Sequence, residues 1–340
     1  MGKGRGAACI VGVPRWDMQR LIKGLGLITV LVVFVSGLAL AADAPIKIGV
    51  TQIVEHPALD MARKGFIDEL AAHGYEGDRV IYDLQNAQGD FATAQAIAEK
   101  FVNNQVDLIL AIATPTAQAT ANVTRRIPIL ITAVTDPVAA GLVDSIELPG
   151  TNVTGTSDLT PVYSQLALVQ DIVPKAKRIG ILYNPGETNS LVQLDLARVA
   201  AKELDLVLVE APVSNSSGVH QSAQALIGRV DAIYVPTDNT VVSAMESVIM
   251  VAETTKLPLI AGETDSVARG ALATVSLDYY SLGRQTGKMA LKILEEGADP
   301  ATMPIEYLED VSLALNLGAA KRMGVTLPAA LIEAADKIIE

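Results

Sequence analysis

Carboxylates, carboxamides and hydroxyls recur in the turns that follow the apolar segments of this chain. The first such turn is Gln52-Ile53-Val54-Glu55-His56-Pro57, followed by Thr114-Pro115-Thr116 and Thr135-Asp136-Pro137. Farther along come Asn184-Pro185-Gly186-Glu187-Thr188-Asn189-Ser190, Thr237-Asp238-Asn239 and Gly262-Glu263-Thr264-Asp265. These side chains suit binding better than catalysis. The three histidines, His56, His73 and His220, are far apart, so neither a metal cluster nor a histidine-based triad is expected. No nucleophile–base pair and no phosphate-binding glycine loop is present. No catalytic residue, metal ligand or cofactor is therefore expected, and the chain does not read as an enzyme.

A binding logic follows from the same residues. Helix starts at Thr114–Thr116 and Asn189–Ser190 offer backbone N–H groups and a positive dipole end, which suit a carboxylate. Acids at Asp136, Glu187, Asp238 or Glu263 suit an ammonium group. Together they describe an α-amino acid. Gln52, Glu55, Thr135, Asn184 and Asn239 complete the candidate ligand set. A sugar site would also be polar but favours aromatic platforms, and aromatic residues make up only 4% of the chain. Plainer roles compete at each position. Thr114, Asn189, Asn239 and Thr264 fit helix N-caps as well as ligand contacts, and Asp90 is expected to cap a helix only. Glu55, Glu187 and Glu263 fit caps less well, although a carboxylate near a helix start gains from the dipole alone.

The elements that must position these turns are short apolar strands alternating with helices. Strand-like runs include Ile46–Thr51, Val80–Leu84, Asp107–Ile112, Ile127–Ile131, Arg178–Tyr183, Leu206–Glu210, Ala232–Val235, Leu257–Ala261 and Ala271–Val275. Such alternation predicts an α/β fold with parallel sheets covered on both faces. The plan appears twice. Ile46-Lys47-Ile48-Gly49 recurs as Lys177-Arg178-Ile179-Gly180, and Val106-Asp107-Leu108 as Val230-Asp231-Ala232. Ile127-Pro128-Ile129 recurs as Leu257-Pro258-Leu259, and Thr135-Asp136 as Thr264-Asp265. Four matches in order, at offsets of 124 to 131 residues, imply two doubly wound lobes. Ligands bind such sheets at the carboxyl ends of the strands, where the polar turns lie. The tail after Val275 holds more elements than one lobe needs, so hinge crossings are expected near Thr154–Leu159, Ser276–Tyr280 and Glu306–Asp310.

The chain has 340 residues, half of them apolar, with a net charge of −12. That length suits two lobes, and the acidity excludes a nucleic-acid partner. Residues 1–41 differ from the rest. Lys3, Arg5, Arg15, Arg20 and Lys23 precede an apolar run from Leu25 to Leu40, and Ala39-Leu40-Ala41 supplies small residues for cleavage. This is the order of a secretory signal peptide, with a retained anchor as the competing reading. Its removal takes the net charge to −16 and takes away Cys9 and Trp16, the only residues of their types. Cys9 precedes the apolar run, so it does not sit where a lipid-anchored leader places its acylated cysteine.

Several of these segments resemble an ABC transporter substrate-binding family. They are Thr51–Asp60, Gln85–Asp90, Ala111–Pro115, Thr132–Pro137, Asn152–Asp158, Tyr183–Ser190 and Thr237–Asn239, and the resemblance spans roughly residues 45–325. In particular they resemble the branch that binds tryptophan and related aromatic amino acids. The resemblance implies a type I periplasmic-binding fold with three hinge crossings and a ligand held between the lobes. It implies residues 43–158 plus about 279–309 as the N-terminal lobe, and 159–278 plus about 310–340 as the C-terminal lobe. The implied partners are an amino-acid ligand and an ABC permease with its ATPase, for a soluble periplasmic monomer. A ligand sensor for a membrane signalling protein, and a receptor for another small polar solute, remain open on the residues alone.

Overall fold

A computed structural model describes residues 1, 2, 12 and 44–340. The leader expected over residues 1–41 therefore lies almost wholly outside the described residues. Among those described, no helix is long and apolar enough to cross a membrane.

The first half runs β1 (Ile46–Gln52), α1 (Pro57–Ala72), β2 (Val80–Asn86), α2 (Phe91–Asn103), β3 (Leu108–Ile112), α3 (Thr114–Val123), β4 (Ile129–Val134) and β5 (Val153–Ser157). The chain continues with α4 (Val162–Ile172), β6 (Arg178–Tyr183), α5 (Thr188–Glu203), β7 (Val207–Pro212), α6 (Val219–Gln224) and β8 (Ala232–Val235). Next come α7 (Asn239–Ser243), α8 (Met245–Thr255), β9 (Leu259–Ala261), α9 (Thr264–Arg269) and β10 (Ala273–Leu277). The tail supplies α10 (Tyr279–Glu296), β11 (Glu306–Tyr307), β12 (Val311–Asn316), α11 (Leu317–Met323), α12 (Ala329–Glu333) and β13 (Lys337–Ile339).

Two sheets result, ordered β11-β5-β4-β3-β1-β2 and β13-β12-β10-β9-β8-β6-β7. All pairings are parallel except β10 with β12. The central strands β3, β4, β8 and β9 are buried along their whole length, as covered parallel strands must be. Each sheet organises its own apolar core, one around Phe66, Phe101 and Leu110, the other around Ile181, Tyr234 and Ile260.

The sequence repeat has a physical cause. Asp107 accepts the Lys47 N–H at 2.7 Å, and Asp231 accepts the Lys177 N–H at 2.9 Å. In both lobes an aspartate thus ties the start of one strand to the start of its neighbour. The Ile109 N–H bonds Pro128 O and the Ile233 N–H bonds Pro258 O, so the repeated prolines occupy equivalent ladder positions. Gly49 and Gly180 are equivalent too. A Cβ on Gly49 would lie 2.7 Å from the Phe101 ring, and one on Gly180 would lie 2.6 Å from Leu226. Gly49 admits a helix side chain onto its sheet face, and Gly180 admits one from the turn just after α6. The fourth match is different. Asp136 closes its own turn by accepting from Val138 N and Ala139 N, whereas its counterpart Asp265 lies in the first turn of α9, which the preceding Glu263 caps.

The chain passes between the sheets three times: after β5, after β10, and between β11 and β12. At the third passage β11 and β12, one in each sheet, are parted only by Leu308-Glu309-Asp310.

Candidate functional site

At the carboxyl ends of the two sheets the polar turns face each other across a cleft. Its deepest part is a small cavity of about 20 Å3, room for about one water-sized group. His56, Leu59, Ala133 and Thr135 line it from the first sheet's side, and Asn189, Thr237, Asp238, Asn239, Val242 and Glu263 from the second. Asp158 and Tyr279, at the first and second crossings, close it toward the hinge. A wider groove of about 270 Å3 continues the cleft. Ile53, Val54, Phe91 and Pro115 form its apolar wall, facing Asn184, Ser214, Asn215, Ser216, Thr240 and Ser243. A separate hollow lined by Arg125, Arg126, Asn152 and Asp299 lies at the amino ends of β4 and β5, remote from the facing turns.

Each lobe fixes its side of the cavity by backbone geometry and capping. In the first, Ala113 and Ala133 hold left-handed conformations (φ 79° and 56°) at the ends of β3 and β4. Strain of this kind in non-glycine residues collects at ligand sites, where the surroundings over-determine it. In the second, Gln165 of α4 donates to Gly262 O at 3.1 Å and accepts from the Tyr234 hydroxyl at 2.6 Å. That network fixes the turn carrying Glu263. The N-caps of α7 and α9 are Asp238 and Glu263, which accept from Val241 N and Ser266 N. The neighbouring residues expected as caps, Asn239 and Thr264, begin those helices. Thr114 and Asn189 likewise lie inside α3 and α5, whose caps Ala113 and Glu187 make no capping side-chain bond. Asp90 caps α2 as expected, accepting from Thr93 N at 2.6 Å.

The candidate residues fall into three groups. Thr135, Asn189, Asp238, Asn239 and Glu263 line the cavity. Asn184, Glu187 and Ser190 build the wall behind it. The Glu187 carboxylate accepts from Thr240 N (3.0 Å) and Oγ1 (2.6 Å), and from Asn239 N (3.2 Å) and Nδ2 (2.6 Å). Asp238 accepts from Asn184 N and Ser190 Oγ, both at 2.5 Å, besides its cap bond. These bonds bind the turn after β6 to the turn after β8. The third group lies outside the cavity. Gln52 is spent within its own lobe, bonding Val54 O, Asp60 and Arg63. Glu55 is exposed, Thr116 bonds back to Ile112 O and Ala113 O, and Asp136 caps its own turn. Thr114 is buried with its hydroxyl unpartnered, yet it lines neither space.

His56, Asp158, Thr237 and Tyr279 line the cavity although they lie outside the candidate ligand set. His56 and Thr237 stand in the polar turns, and Asp158 and Tyr279 in the segments expected as hinge crossings. Leu59, Ala133 and Val242 gave no signal, because apolar helix and strand positions look alike on both faces. Burial, with Arg269 nearby, pushes His56 down to about 3, so its ring is neutral. Its Nδ1 and the Oδ1 of Asn189 have no partner. Burial pushes Asp238 up to about 7, helped by the Glu187 charge, and Glu263 likewise up to about 7. Asp158 is raised for the same reason, although Tyr279 and Thr135 donate to it. Such an enclosure, polar and incompletely satisfied, can hold a small charged solute by direct hydrogen bonds. Across the cleft, Gln118 of α3 reaches Thr188 at the start of α5 at 3.3 Å.

Residues 47–339 match the family model for ABC transporter substrate binding proteins. A tyrosine-binding protein of Clostridioides difficile (strain R20291) is 48% identical over 278 residues, covering 82% of this chain and 80% of that protein. An ABC domain from Streptococcus pneumonia, solved in complex with L-Trp, is 36% identical with a TM-score of 0.84, covering 87% of this chain and all of that one. The ligand-free, open structure of a substrate binding protein with adhesive properties from Clostridium difficile is 45% identical. Its TM-score is 0.65, over 86% of this chain and 99% of that one. Solute-binding proteins at 16% and 17% identity share the type I periplasmic-binding fold alone. A transport-receptor family, a two-lobed fold and a polar cavity between the lobes agree: the chain belongs to the ABC transporter substrate-binding protein family.

Proposed function

We propose that the protein is an extracytoplasmic receptor that captures an aromatic amino acid between its lobes and delivers it to an ABC permease. A secretory leader over residues 1–41 would export it as a soluble periplasmic monomer, and a separate ATPase would drive uptake. The lobes comprise residues 43–158 with about 279–309, and 159–278 with about 310–340. The observation that carries the reading is the buried cavity at the strand ends of both lobes, where His56 Nδ1 and Asn189 Oδ1 lack partners. An amino acid supplies donors and acceptors together, and its side chain can reach the groove walled by Ile53, Val54, Phe91 and Pro115. Relatives named for tyrosine and solved with L-Trp support an aromatic side chain. The fit to the L-Trp complex is better than to the open, ligand-free relative, despite lower identity (36% against 45%). That favours the arrangement described here as the closed one.

A thermal-shift series over the amino acids, sugars and small anions tests this. An amino acid that binds, at about 100 times its Kd, should stabilise the protein by about 2.7 kcal/mol. Residues 42–340 hold no tryptophan, so the emission of added tryptophan reports its own capture. Stabilisation by a sugar or an anion, with none by tyrosine, tryptophan or phenylalanine, would overturn the reading.

A further inference from the structure

At the end of the first sheet opposite the cleft, a hollow of about 440 Å3 opens beside the amino ends of β4 and β5. Arg125 and Arg126 front it, with Thr151, Asn152 and Asp299 in the same lining. Both arginines are exposed. Ten arginines lie between residues 44 and 340. Six of them pair with carboxylates: Arg63, Arg178, Arg198, Arg269, Arg284 and Arg322. Arg79 lies over the Tyr75 ring, 5.1 Å from its centroid, and Arg229 donates to Ala225 O at 3.2 Å. Among the described residues, only Arg125 and Arg126 have guanidiniums without a partner, and both meet the same hollow.

Their place in the sequence does not account for them. They follow the last turn of α3, where a cation gains from the helix dipole. Arg229 shows that use directly, by bonding a carbonyl four residues back. Neither Arg125 nor Arg126 bonds a carbonyl of α3. The Thr124 and Ile127 carbonyls accept from Asn152 Nδ2 instead, at 3.3 and 2.7 Å. The walls are otherwise committed. Thr151 Oγ1 donates to Leu142 O and accepts from Val153 N, and Gly150 N bonds Ala301 O across the hollow's edge. Asn152 Oδ1 is unpartnered but shielded from solvent. The groups left to meet an occupant are charged. They are the two guanidiniums and one oxygen of Asp299, whose other oxygen accepts from Ala301 N at 3.0 Å. Asp144 stands behind Gly150, outside the lining.

Two guanidiniums offer about ten N–H donors in rigid forks, the geometry that phosphate oxygens accept. A phosphate monoester carries a charge of about −1.5 to −2 at pH 7, which the pair matches and a carboxylate does not. Asp299 belongs to no ion pair among the described residues, so the hollow keeps it apart from the arginines it shares a lining with. Its free oxygen calls for a donor on the same occupant. We propose that this hollow is a second ligand site, separate from the cleft, for a phosphate joined to a primary amine. The phosphate lies on Arg125 and Arg126 and the ammonium on Asp299. A free aminoalkyl phosphate and an ethanolamine lipid headgroup share this chemistry.

Titration calorimetry on the full protein tests the site with O-phosphoethanolamine, inorganic phosphate and phosphocholine, whose quaternary nitrogen has no N–H to donate. O-Phosphoethanolamine should bind at about 1 mM or tighter, and roughly 3-fold more tightly than the other two. Arg125→Gln and Arg126→Gln should each weaken it roughly 10-fold. Asp299→Asn, which keeps a capping oxygen, should erase the preference for the amine and leave inorganic phosphate bound. A merely structural pair would shift the unfolding midpoint and leave these affinities alone, and that result overturns the site. So does the absence of binding at about 10 mM. Equal affinity for all three probes overturns the role of Asp299. Cosedimentation with phosphatidylethanolamine vesicles, against phosphatidylcholine vesicles, then identifies the source. Pelleting with the first alone, lost in the arginine variants, assigns the phosphate to a lipid headgroup. Calorimetric binding without pelleting assigns it to a free solute.

Discussion

Glu187→Ala should cost about 3–5 kcal/mol of stability, more than removal of any other polar side chain at the cleft, and should weaken ligand binding with it. The carboxylate is 6% exposed and accepts from the backbone and side chains of both Asn239 and Thr240, as well as from Asn184 and Asn189. Alanine would strand several buried donors at once, each worth about 1–3 kcal/mol when left unmade. It would also release the turn carrying Asp238 and Asn239, both of which line the cavity. Glu187→Gln should fall between, because its amide keeps one acceptor oxygen and turns the other position into a donor facing donors. Denaturant unfolding and calorimetry on the two variants measure both effects. A loss below about 1 kcal/mol for alanine would show the network to be dispensable.

The second large effect lies away from the ligand. Helices α1 and α10 approach so closely that a Cβ on Gly283 would lie 2.0 Å from Ala62 O, and one on Gly65 would lie 2.1 Å from Tyr280 O. Neither obstacle is a side chain that can swing aside; both are backbone. Gly283→Val should therefore destabilise the protein by about 3 kcal/mol or more, at the upper end for overpacking. It should also weaken ligand binding, because α10 begins at Tyr279, whose hydroxyl donates to Asp158 at 2.7 Å. Gly297→Ala is a suitable control. Its Cβ meets open space, so only the positive φ of 66° opposes it, at about 1 kcal/mol. Similar unfolding midpoints for the two variants would contradict the tight helix contact.

The fold was legible because its repeated parts obey repeated constraints. Asp107 and Asp231 tie strand starts, Pro128 and Pro258 sit in the same ladder position, and Gly49 and Gly180 clear space for Phe101 and Leu226. These demands fall on single residue types, so they leave marks in the sequence. The site was half legible. Its turns were visible as polar clusters, yet which member of each turn faces the cavity depends on where the helix begins. Asp238-Asn239 and Glu263-Thr264 each offer two capping residues in a row, and a one-residue difference exchanges cap for first helical position. Gln52 and Glu55 were plausible by the same reasoning, but Gln52 turns into its own lobe and Glu55 faces solvent. The left-handed alanines Ala113 and Ala133 carried no mark at all, since glycine is the residue that announces that conformation.

The three crossings have a consequence for how the chain comes to be folded. The first sheet takes its last strand from Glu306–Tyr307, and its face is covered by residues 279–296. The second sheet takes its last two strands from beyond residue 310. A nascent chain emerging amino end first can make most of either sheet early, but it can finish neither until nearly all of its length is free. Completion of both lobes is a late event that depends on contacts distant in sequence, which slows folding and keeps the incomplete chain loose. Neither sheet can therefore close early, a constraint built into the connectivity of the chain.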